Sequence, residues 1–237
     1  MAPRWFPLES NPDVMTMYIS DLGAEGVRVV EVLSIEDWAL DMVPGPVHAV
    51  LFLYPLSPRQ LEFDAAHPPD PMPSTSDPTS GAPYFMKQTV GNACGTVALL
   101  HALGNHHRAG AAAARPDSWL AEFFSATAKM TAEEIASYIA EGAASDALAK
   151  VHTATATSSE NATAATMDVE THFVAFVCAG GTLYELDGRK AGPTVHGTCE
   201  ASELLPKAVG AISKCMKRDP DELRFTITAL VGNGAGA

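Results

Sequence analysis

The run VHAVLFLY at residues 47–54 limits the folds open to this chain more than any other feature, because a strand formed by it is apolar on both faces. A strand with one face in water normally alternates apolar and polar residues, whereas a strand covered on both faces reads as a nearly continuous apolar run. We therefore expect residues 47–54 to form a central strand rather than an edge strand. The protein should contain one sheet with other elements packed on both of its faces.

Hydrophobic spacing elsewhere predicts a mixed α/β (α+β) fold made of one domain, residues 1–237. Helical spacing predicts helices at 12–22, 35–42, 94–105, 119–130, 132–149 and 202–218, the third of them stopped by Gly104-Asn105. Valine-rich or alternating runs predict further strands at 27–33, 172–178, 183–189 and 222–231. Two helix starts have favourable caps, Asn11 before Pro12 and a capping box of Thr131 with Glu134.

Three segments lack the spacing of a packed element. Residues 64–83 are rich in proline and small polar side chains, which predicts a mobile surface loop. Most of the stretch 150–168, residues 152–167, is rich in alanine and threonine and lacks hydrophobic periodicity, and a loop of that length in a compact domain is usually functional. We interpret residues 150–168 as a lid over a site and expect residues 232–237 to fray.

The formal charge of the chain is −13, from 15 Lys and Arg residues against 28 Asp and Glu residues. Such a surface repels nucleic acids and anionic membranes and favours a basic partner. No apolar run reaches the roughly 18 residues of a membrane span, and the first residues do not resemble a secretory signal. We predict a soluble, monomeric protein of the cytoplasm, with the nucleus as a further location.

The four cysteines are widely spaced and never form C-x-x-C, which in an intracellular chain predicts reduced core residues with at most one reactive thiol. Zinc sites normally need ligands at regular spacings. The histidines near the end of the third helix, and the isolated H-x-x-C of His196 and Cys199, do not supply such a set. We predict no metal and no cofactor.

A hairpin places two residues suited to proton transfer on one face of the sheet. If Gly180-Gly181 is the two-residue turn, paired positions sum to 361, so that His172 faces Arg189 and Val174 faces Asp187. His172 and Asp187 are then diagonal neighbours about 7–8 Å apart between backbones, and a carboxylate can span that gap to an imidazole. The alternative is a core histidine beside an ordinary Asp-Gly turn.

Cys94 lies at the start of the third predicted helix, where unpaired amides and the helix dipole stabilise a thiolate. The alternative is a small buried side chain that packs the helix end. A thiol nucleophile needs a base, which His172 could supply, and a donor for the oxyanion. Gln88 and Asn92 both precede the thiol closely, and their positions alone do not decide between them.

Four segments of the chain resemble one family of thiol hydrolases, in the same order: RWFPLESNP near the start, YFMKQTVGNACGTVALLHAL at 84–103, HFVAFVCAGGTLYELDGRK at 172–190 and KRDPDELRFTITAL near the end. The chain is similar along nearly its whole length to the short, single-domain ubiquitin carboxyl-terminal hydrolases. The resemblance implies a papain-like core with a central, mainly antiparallel sheet, a knotted backbone and a long active-site crossover loop at the predicted lid.

The resemblance also implies roles for particular residues. It makes Cys94 the nucleophile, His172 the general base and then general acid, Asp187 the residue that orients it, and Gln88 the oxyanion donor. Ubiquitin would be the partner, with NEDD8 as an alternative, and its contacts would include Leu8, Glu9, Leu223 and Phe225. Trp5 and Phe6, beside the first two, are equally consistent with anchoring the core.

Two other functions remain as alternatives at this stage. A general thiol protease would have an open cleft in place of a long lid. A catalytically inactive ubiquitin-binding module would have lost the cysteine, the histidine or the aspartate, and all three are present. The first interpretation is therefore a thiol hydrolase that releases small adducts or short peptides from the C-terminal glycine of ubiquitin.

Overall fold

The computed structural model describes residues 5–69, 81–111, 113–157 and 170–233. Within these ranges the helices are α1 (Pro12–Leu22), α2 (Asp37–Leu40), α3 (Pro58–Ala66), α4 (Cys94–Arg108), α5 (Trp119–Thr127), α6 (Ala132–Ala140), α7 (Ala143–Ala156) and α8 (Leu204–Met216). The strands are β1 (Val27–Glu31), β2 (Val47–Pro55), β3 (Thr171–Ala179), β4 (Thr182–Leu186), β5 (Thr194–Thr198) and β6 (Thr226–Gly232). None of the helices in the described ranges is long and apolar enough to cross a membrane.

The strands form one sheet in the order β1-β6-β2-β3-β4-β5, and each neighbouring pair is antiparallel. Strand β2 lies in the interior of the sheet, between β6 and β3. Alternate residues of β2 enter different apolar clusters: Leu51 packs with α1 and α4, and Phe52 packs with α8. This confirms the covered central strand and the predicted α+β fold with an antiparallel sheet, while the knotted path and the crossover loop stay predictions.

Helix α4 continues past the predicted stop at Gly104-Asn105 and ends at Arg108, so that boundary was wrong. Both residues contact Tyr84 instead. A Cβ on Gly104 would lie 2.3 Å from Tyr84 Cδ1, so the glycine allows the ring to approach the helix closely. The Asn105 side chain accepts from Tyr84 N–H at 2.8 Å and donates to Tyr84 O at 2.9 Å. The packing of residues 84–86 against α4 therefore overrides the local stop signal.

The single helix predicted at 132–149 is two helices, because the chain turns at Gly142 with φ of 85°. Helix α7 then extends to Ala156, so the first residues assigned to the predicted lid are helical. Its buried face contains Leu148, His152 and Thr155. Beyond Leu148 this face consists of small and polar side chains, and a search for large apolar residues therefore missed the last turns of α7. The remaining lid residues 158–168 lie outside the described residues.

Other boundaries also differ from the predictions. Helix α3, capped by Ser57, was not predicted, and it contains the first residues assigned to the proline-rich loop, of which 70–80 lie outside the described residues. Strand β5 was missed as well. Gly232 was assigned to a frayed tail but pairs with Val27 in the sheet; the tail residues 234–237 lie outside the described residues. The caps at Asn11 and at Thr131 with Glu134 are confirmed.

Candidate active site

Cys94 is the first residue of α4, and a tight turn leads into it. Asn92 has φ of 62°, a left-handed conformation that non-glycine residues seldom adopt. Ala93 precedes the helix and provides no side-chain cap. The first amides of α4 therefore remain available near the thiol, as expected for a helix N-terminus without a capping side chain.

The β3–β4 hairpin has the predicted register. Ala175 pairs with Leu186 and Phe176 with Glu185, so paired positions sum to 361 as expected for the Gly180-Gly181 turn. Asp187 follows β4 directly, beyond the last recorded pair.

His172 Nε2 lies 2.7 Å from Asp187 Oδ1, and both residues are buried, with 2% and 3% of their surface exposed. Asp187 Oδ1 also accepts from Arg189 N–H at 2.9 Å. Burial opposes ionisation of Asp187, but the charge and hydrogen bond of His172 outweigh it and lower the pKa of the carboxyl group. The carboxylate thus fixes the proton on Nε2 and leaves Nδ1 of His172 for another partner.

That partner is the Cys94 thiol, which hydrogen-bonds with His172. Burial acts to raise the pKa of Cys94, but His172 and the backbone N–H groups of Phe173 and Gly95 lower it below the ordinary thiol value. Burial acts to lower the pKa of His172, but Asp187 and Cys94 raise it to about 9. The two shifts agree, since a thiolate and an imidazolium stabilise each other. The structure therefore brings Cys94, His172 and Asp187 together.

Gln88 lies beside the turn that follows Asp187. Its backbone N–H donates to Gly188 O at 2.8 Å, and its side-chain Nε2 donates to Val90 O at 3.1 Å. The Asn92 amide, the other candidate oxyanion donor, points to the N-terminal segment and donates to Trp5 O at 3.0 Å. One Nε2 proton of Gln88 thus remains for a further acceptor.

The residues predicted to contact ubiquitin have different environments. Leu8 is buried, with 5% of its surface exposed, so its side chain belongs to the core and is not available to a partner in this structure. Glu9 is half-buried. Leu223 is 86% exposed, and Phe225 stacks on Phe52 with ring centroids 5.8 Å apart.

Trp5 and Phe6, which the sequence leaves open as core anchors, have different environments. Trp5 packs against the core, whereas Phe6 is exposed at 37%.

Two features near the site were not found from the sequence. The Tyr54 ring meets His172 edge-on with centroids 5.9 Å apart, as the pairing of β2 with β3 requires. His152 of α7 is buried behind α4 and hydrogen-bonds to Thr96. The helical spacing of His152 with Leu148 and Thr155 was the one available signal, and the assignment of this region to a lid obscured it.

The histidines considered as metal ligands contact protein groups instead. His101 Nε2 lies 3.1 Å from both N and O of Met86, and burial lowers the pKa of His101 to about 4. The His106 ring packs against the His48 ring at an interplanar angle of 40°, with centroids 3.9 Å apart. His196 Nε2 lies 2.9 Å from Glu185 Oε2. In the part of the chain that the structure describes, no three side chains of His, Cys, Asp or Glu lie together as a metal site would require.

Comparison with known proteins identifies the family. The family model described as "Ubiquitin carboxyl-terminal hydrolase, family 1" matches residues 5–217. Ubiquitin carboxyl-terminal hydrolase 3 of Arabidopsis thaliana is 40% identical over 231 residues, which cover 97% of this chain and 94% of the relative. Ubiquitin carboxyl-terminal hydrolase isozyme L1 of Homo sapiens is 34% identical over 225 residues, covering 94% of this chain and 96% of the relative.

A solved structure has a similar fold. The crystal structure of the Trichinella spiralis UCH37 catalytic domain bound to ubiquitin vinyl methyl ester superposes with a TM-score of 0.74. The two sequences are 26% identical, and the match covers 97% of this chain and 96% of that one. On these grounds the chain belongs to ubiquitin carboxyl-terminal hydrolase family 1.

Proposed function

We propose that this chain is a thiol-dependent deubiquitinase that cleaves small adducts or short peptides from the C-terminal glycine of ubiquitin. The observation that carries the proposal is the buried contact chain from Cys94 through His172 to Asp187, with a lowered thiol pKa and a raised imidazole pKa. The ubiquitin-bound complex of a protein with the same fold supports ubiquitin as the partner. The −13 charge is consistent with a basic partner surface.

In the first step the Cys94 thiolate attacks the carbonyl carbon of the terminal glycine. A thiolate is the reactive form of cysteine, and His172 accepts the thiol proton as the thiolate forms. A carbon–sulfur bond forms, and the electron pair of the carbonyl moves to its oxygen. The Cys94 backbone N–H and the second Nε2 proton of Gln88 are the proposed donors to this oxyanion.

In the second step His172 donates its proton to the leaving amine, and the carbon–nitrogen bond breaks. An acyl-enzyme remains on Cys94. Neutral His172 then takes a proton from water, and the water oxygen attacks the acyl carbon. The carbon–sulfur bond breaks, Cys94 leaves as a thiolate beside the protonated His172, and ubiquitin is released with a C-terminal carboxylate. Asp187 keeps the imidazole oriented through both steps and stabilises its cationic form.

The position of the thiol supports a preference for small leaving groups. Cys94 is only partly accessible at the start of a buried helix, so an extended and flexible tail can reach it more readily than a folded surface. We propose that the segment after α7 acts as the crossover loop and adds to this restriction. NEDD8 is a second candidate partner.

Labelling with ubiquitin that carries a C-terminal vinyl methyl ester tests the proposal. We expect one adduct per chain on Cys94, mapped by mass spectrometry, and none on the Cys94→Ser variant. Cys178, Cys199 and Cys215 provide an internal control, because burial raises the pKa of both Cys199 and Cys215. Modification of one of these three cysteines instead of Cys94 would refute the proposed mechanism. The same probe built on NEDD8 decides between the two partners.

A comparison of substrates tests the size restriction. A ubiquitin amide of a small fluorophore should be cleaved much faster than a folded di-ubiquitin. Equal rates would show that access to Cys94 is open. Turnover of unrelated peptides at rates similar to the ubiquitin amide would favour a general thiol protease.

A further inference from the structure

The N-terminal segment, residues 5–8, lies against the turn that leads into Cys94. Trp5 N–H donates to Gly91 O at 2.9 Å, and Trp5 O accepts from Asn92 Nδ2 at 3.0 Å. Asn92 is the residue held in the left-handed conformation, so these two bonds fasten a backbone turn that is intrinsically unfavourable. The orientation of the next amides, including the Cys94 N–H, depends on that turn.

The same segment contacts the other side of Cys94 as well. A Cβ on Gly95 would lie 3.1 Å from Leu8 Cβ, so the Leu8 side chain packs directly on the first turn of α4. The segment therefore touches the chain immediately before and immediately after the thiol. Its placement affects the backbone that presents the thiol and the adjacent amide.

His152 holds this segment from behind. Its Nε2 lies 2.6 Å from Phe6 O, and its Nδ1 lies 2.8 Å from Thr96 Oγ1. Thr96 Oγ1 lies in turn 2.9 Å from Tyr18 OH. A carbonyl oxygen can only accept, so the proton is on Nε2, and Nδ1 accepts from Thr96, which accepts from Tyr18. A neutral imidazole thus satisfies every group of this buried chain of hydrogen bonds.

The surroundings of His152 favour that neutral form. Its ring packs against Trp5, with centroids 4.6 Å apart, and edge-on against Tyr18 at 5.8 Å. Burial lowers the pKa of His152, with the Phe6 carbonyl acting in the opposite direction. Both ring nitrogens are occupied by protein groups, so this histidine is not a proton donor or acceptor in the reaction.

We propose that His152 is a positioning residue for the hydrolysis. By holding Phe6 O it keeps the N-terminal segment against residues 91–92, and so keeps the Cys94 backbone N–H aimed at the oxyanion. The inference rests on the proposed function, because it assigns a means of alignment to that reaction. Catalysis through oxyanion donors depends on their fixed placement, and a displacement of about 1 Å can cost on the order of 100-fold in rate.

Two substitutions separate the two hydrogen bonds of His152. Glutamine places a donor near the position of Nε2 and can retain the bond to Phe6 O, whereas asparagine places an acceptor near Nδ1 and retains only the bond to Thr96. We expect His152→Gln to keep kcat within about threefold and His152→Asn to lose about tenfold or more, with smaller changes in KM. Lys150→Ala, an exposed change on the same helix, is the matched control and should leave kcat unchanged.

Alkylation of Cys94 by iodoacetamide supplies a second readout. This reaction needs the thiolate but no oxyanion donor, and the thiolate depends on His172. We therefore expect the alkylation rates of both His152 variants to equal that of the wild type. An alkylation rate that falls as far as kcat would mean that the thiolate itself is lost, and would overturn the inference.

Three other outcomes also overturn the inference. The first is an equal kcat for His152→Gln, His152→Asn and wild type, and the second is a larger loss of kcat in the glutamine variant. The third is a change confined to KM or to thermal stability. If His152→Asn does not fold, Asn92→Gly replaces it, since glycine accepts a φ of 62° without strain and removes the tether to Trp5. The Asn92→Gly variant must then show the loss of kcat expected for His152→Asn. Wild-type protein that does not cleave the ubiquitin amide would refute the proposed function instead, before any variant is compared.

Discussion

Replacement of Asp187 by asparagine should remove a charge from the site while retaining the acceptor atom. Both hydrogen bonds of the carboxylate, from His172 Nε2 and from Arg189 N–H, end on the same oxygen, at 2.7 and 2.9 Å. An asparagine oxygen in that position can accept both bonds. The Asp187→Asn variant therefore changes the electrostatics of His172 far more than its geometry.

The size of the effect follows from the distance between the charges. Opposite unit charges about 4 Å apart attract by about 4 kcal/mol at an effective dielectric constant near 20, and a neutral amide retains part of this as a hydrogen bond. A net loss of about 2–3 kcal/mol corresponds to a fall of roughly two pKa units. The pKa of His172, raised to about 9 beside the carboxylate, should therefore fall to roughly 7 in the variant.

The pH profile of kcat/KM measures this shift. Wild-type activity should rise as Cys94 loses its proton, below the usual thiol pKa, and fall as His172 loses its proton near pH 9. In Asp187→Asn the upper limb should move down to roughly pH 7, because the cation is less stable. The lower limb should move little, because the protonated imidazole beside the thiol still carries a full positive charge. The profile thus narrows from its upper side.

The assay is hydrolysis of the ubiquitin amide of a small fluorophore across this pH range, with circular dichroism as a control for folding. An upper limb that stays near pH 9 in a folded variant would show that Asp187 does not set the pKa of His172, and would refute the reasoning.

Three further outcomes are expected. Cys94→Ser should abolish turnover yet bind ubiquitin with wild-type affinity in calorimetry; residual turnover would place the nucleophile elsewhere. Gln88→Ala should lower kcat by about 10²–10³ with little change in KM, since one oxyanion donor is lost; a change in KM alone would contradict that role. Gly104→Ala should lower thermal stability by roughly 1–3 kcal/mol, because its Cβ would lie 2.3 Å from Tyr84 Cδ1. Gly210→Ala in α8 meets nothing within 4 Å and should be neutral or stabilising, so equal melting temperatures for the two glycine variants would contradict the steric argument.

The central strand and the hairpin were predictable because both follow from short-range rules. Side chains alternate with period two, so the apolar run of β2 indicates cover on both faces, and the turn at Gly180-Gly181 fixes which residues of β3 and β4 share a face. The proximity of His172 and Asp187 follows from that register. The position of Cys94 at a helix start is similarly local.

Contacts between distant parts of the chain were not predictable in this way. Gly104 resembles a helix stop signal in the sequence, but in the structure it allows the ring of Tyr84, 20 residues earlier, to pack closely on the helix. The bond from His152 to Phe6 spans 146 residues, and the buried residues of α7 after Leu148 have small or polar side chains. The resemblance implies a ubiquitin contact at Leu8, and only the three-dimensional packing against Gly95 shows that this side chain is buried.

The place of β6 in the sheet has a consequence for biosynthesis. Strand β6 lies between β1 and β2, and Gly232 pairs with Val27, which is made roughly 200 residues earlier. At translation speeds of about 5–20 residues per second, β6 is synthesised roughly 10–40 s after β1. During that interval the adjoining edge of β2 is also without its partner on the ribosome. A nascent chain of this protein should therefore remain a client of chaperones until its last strand emerges.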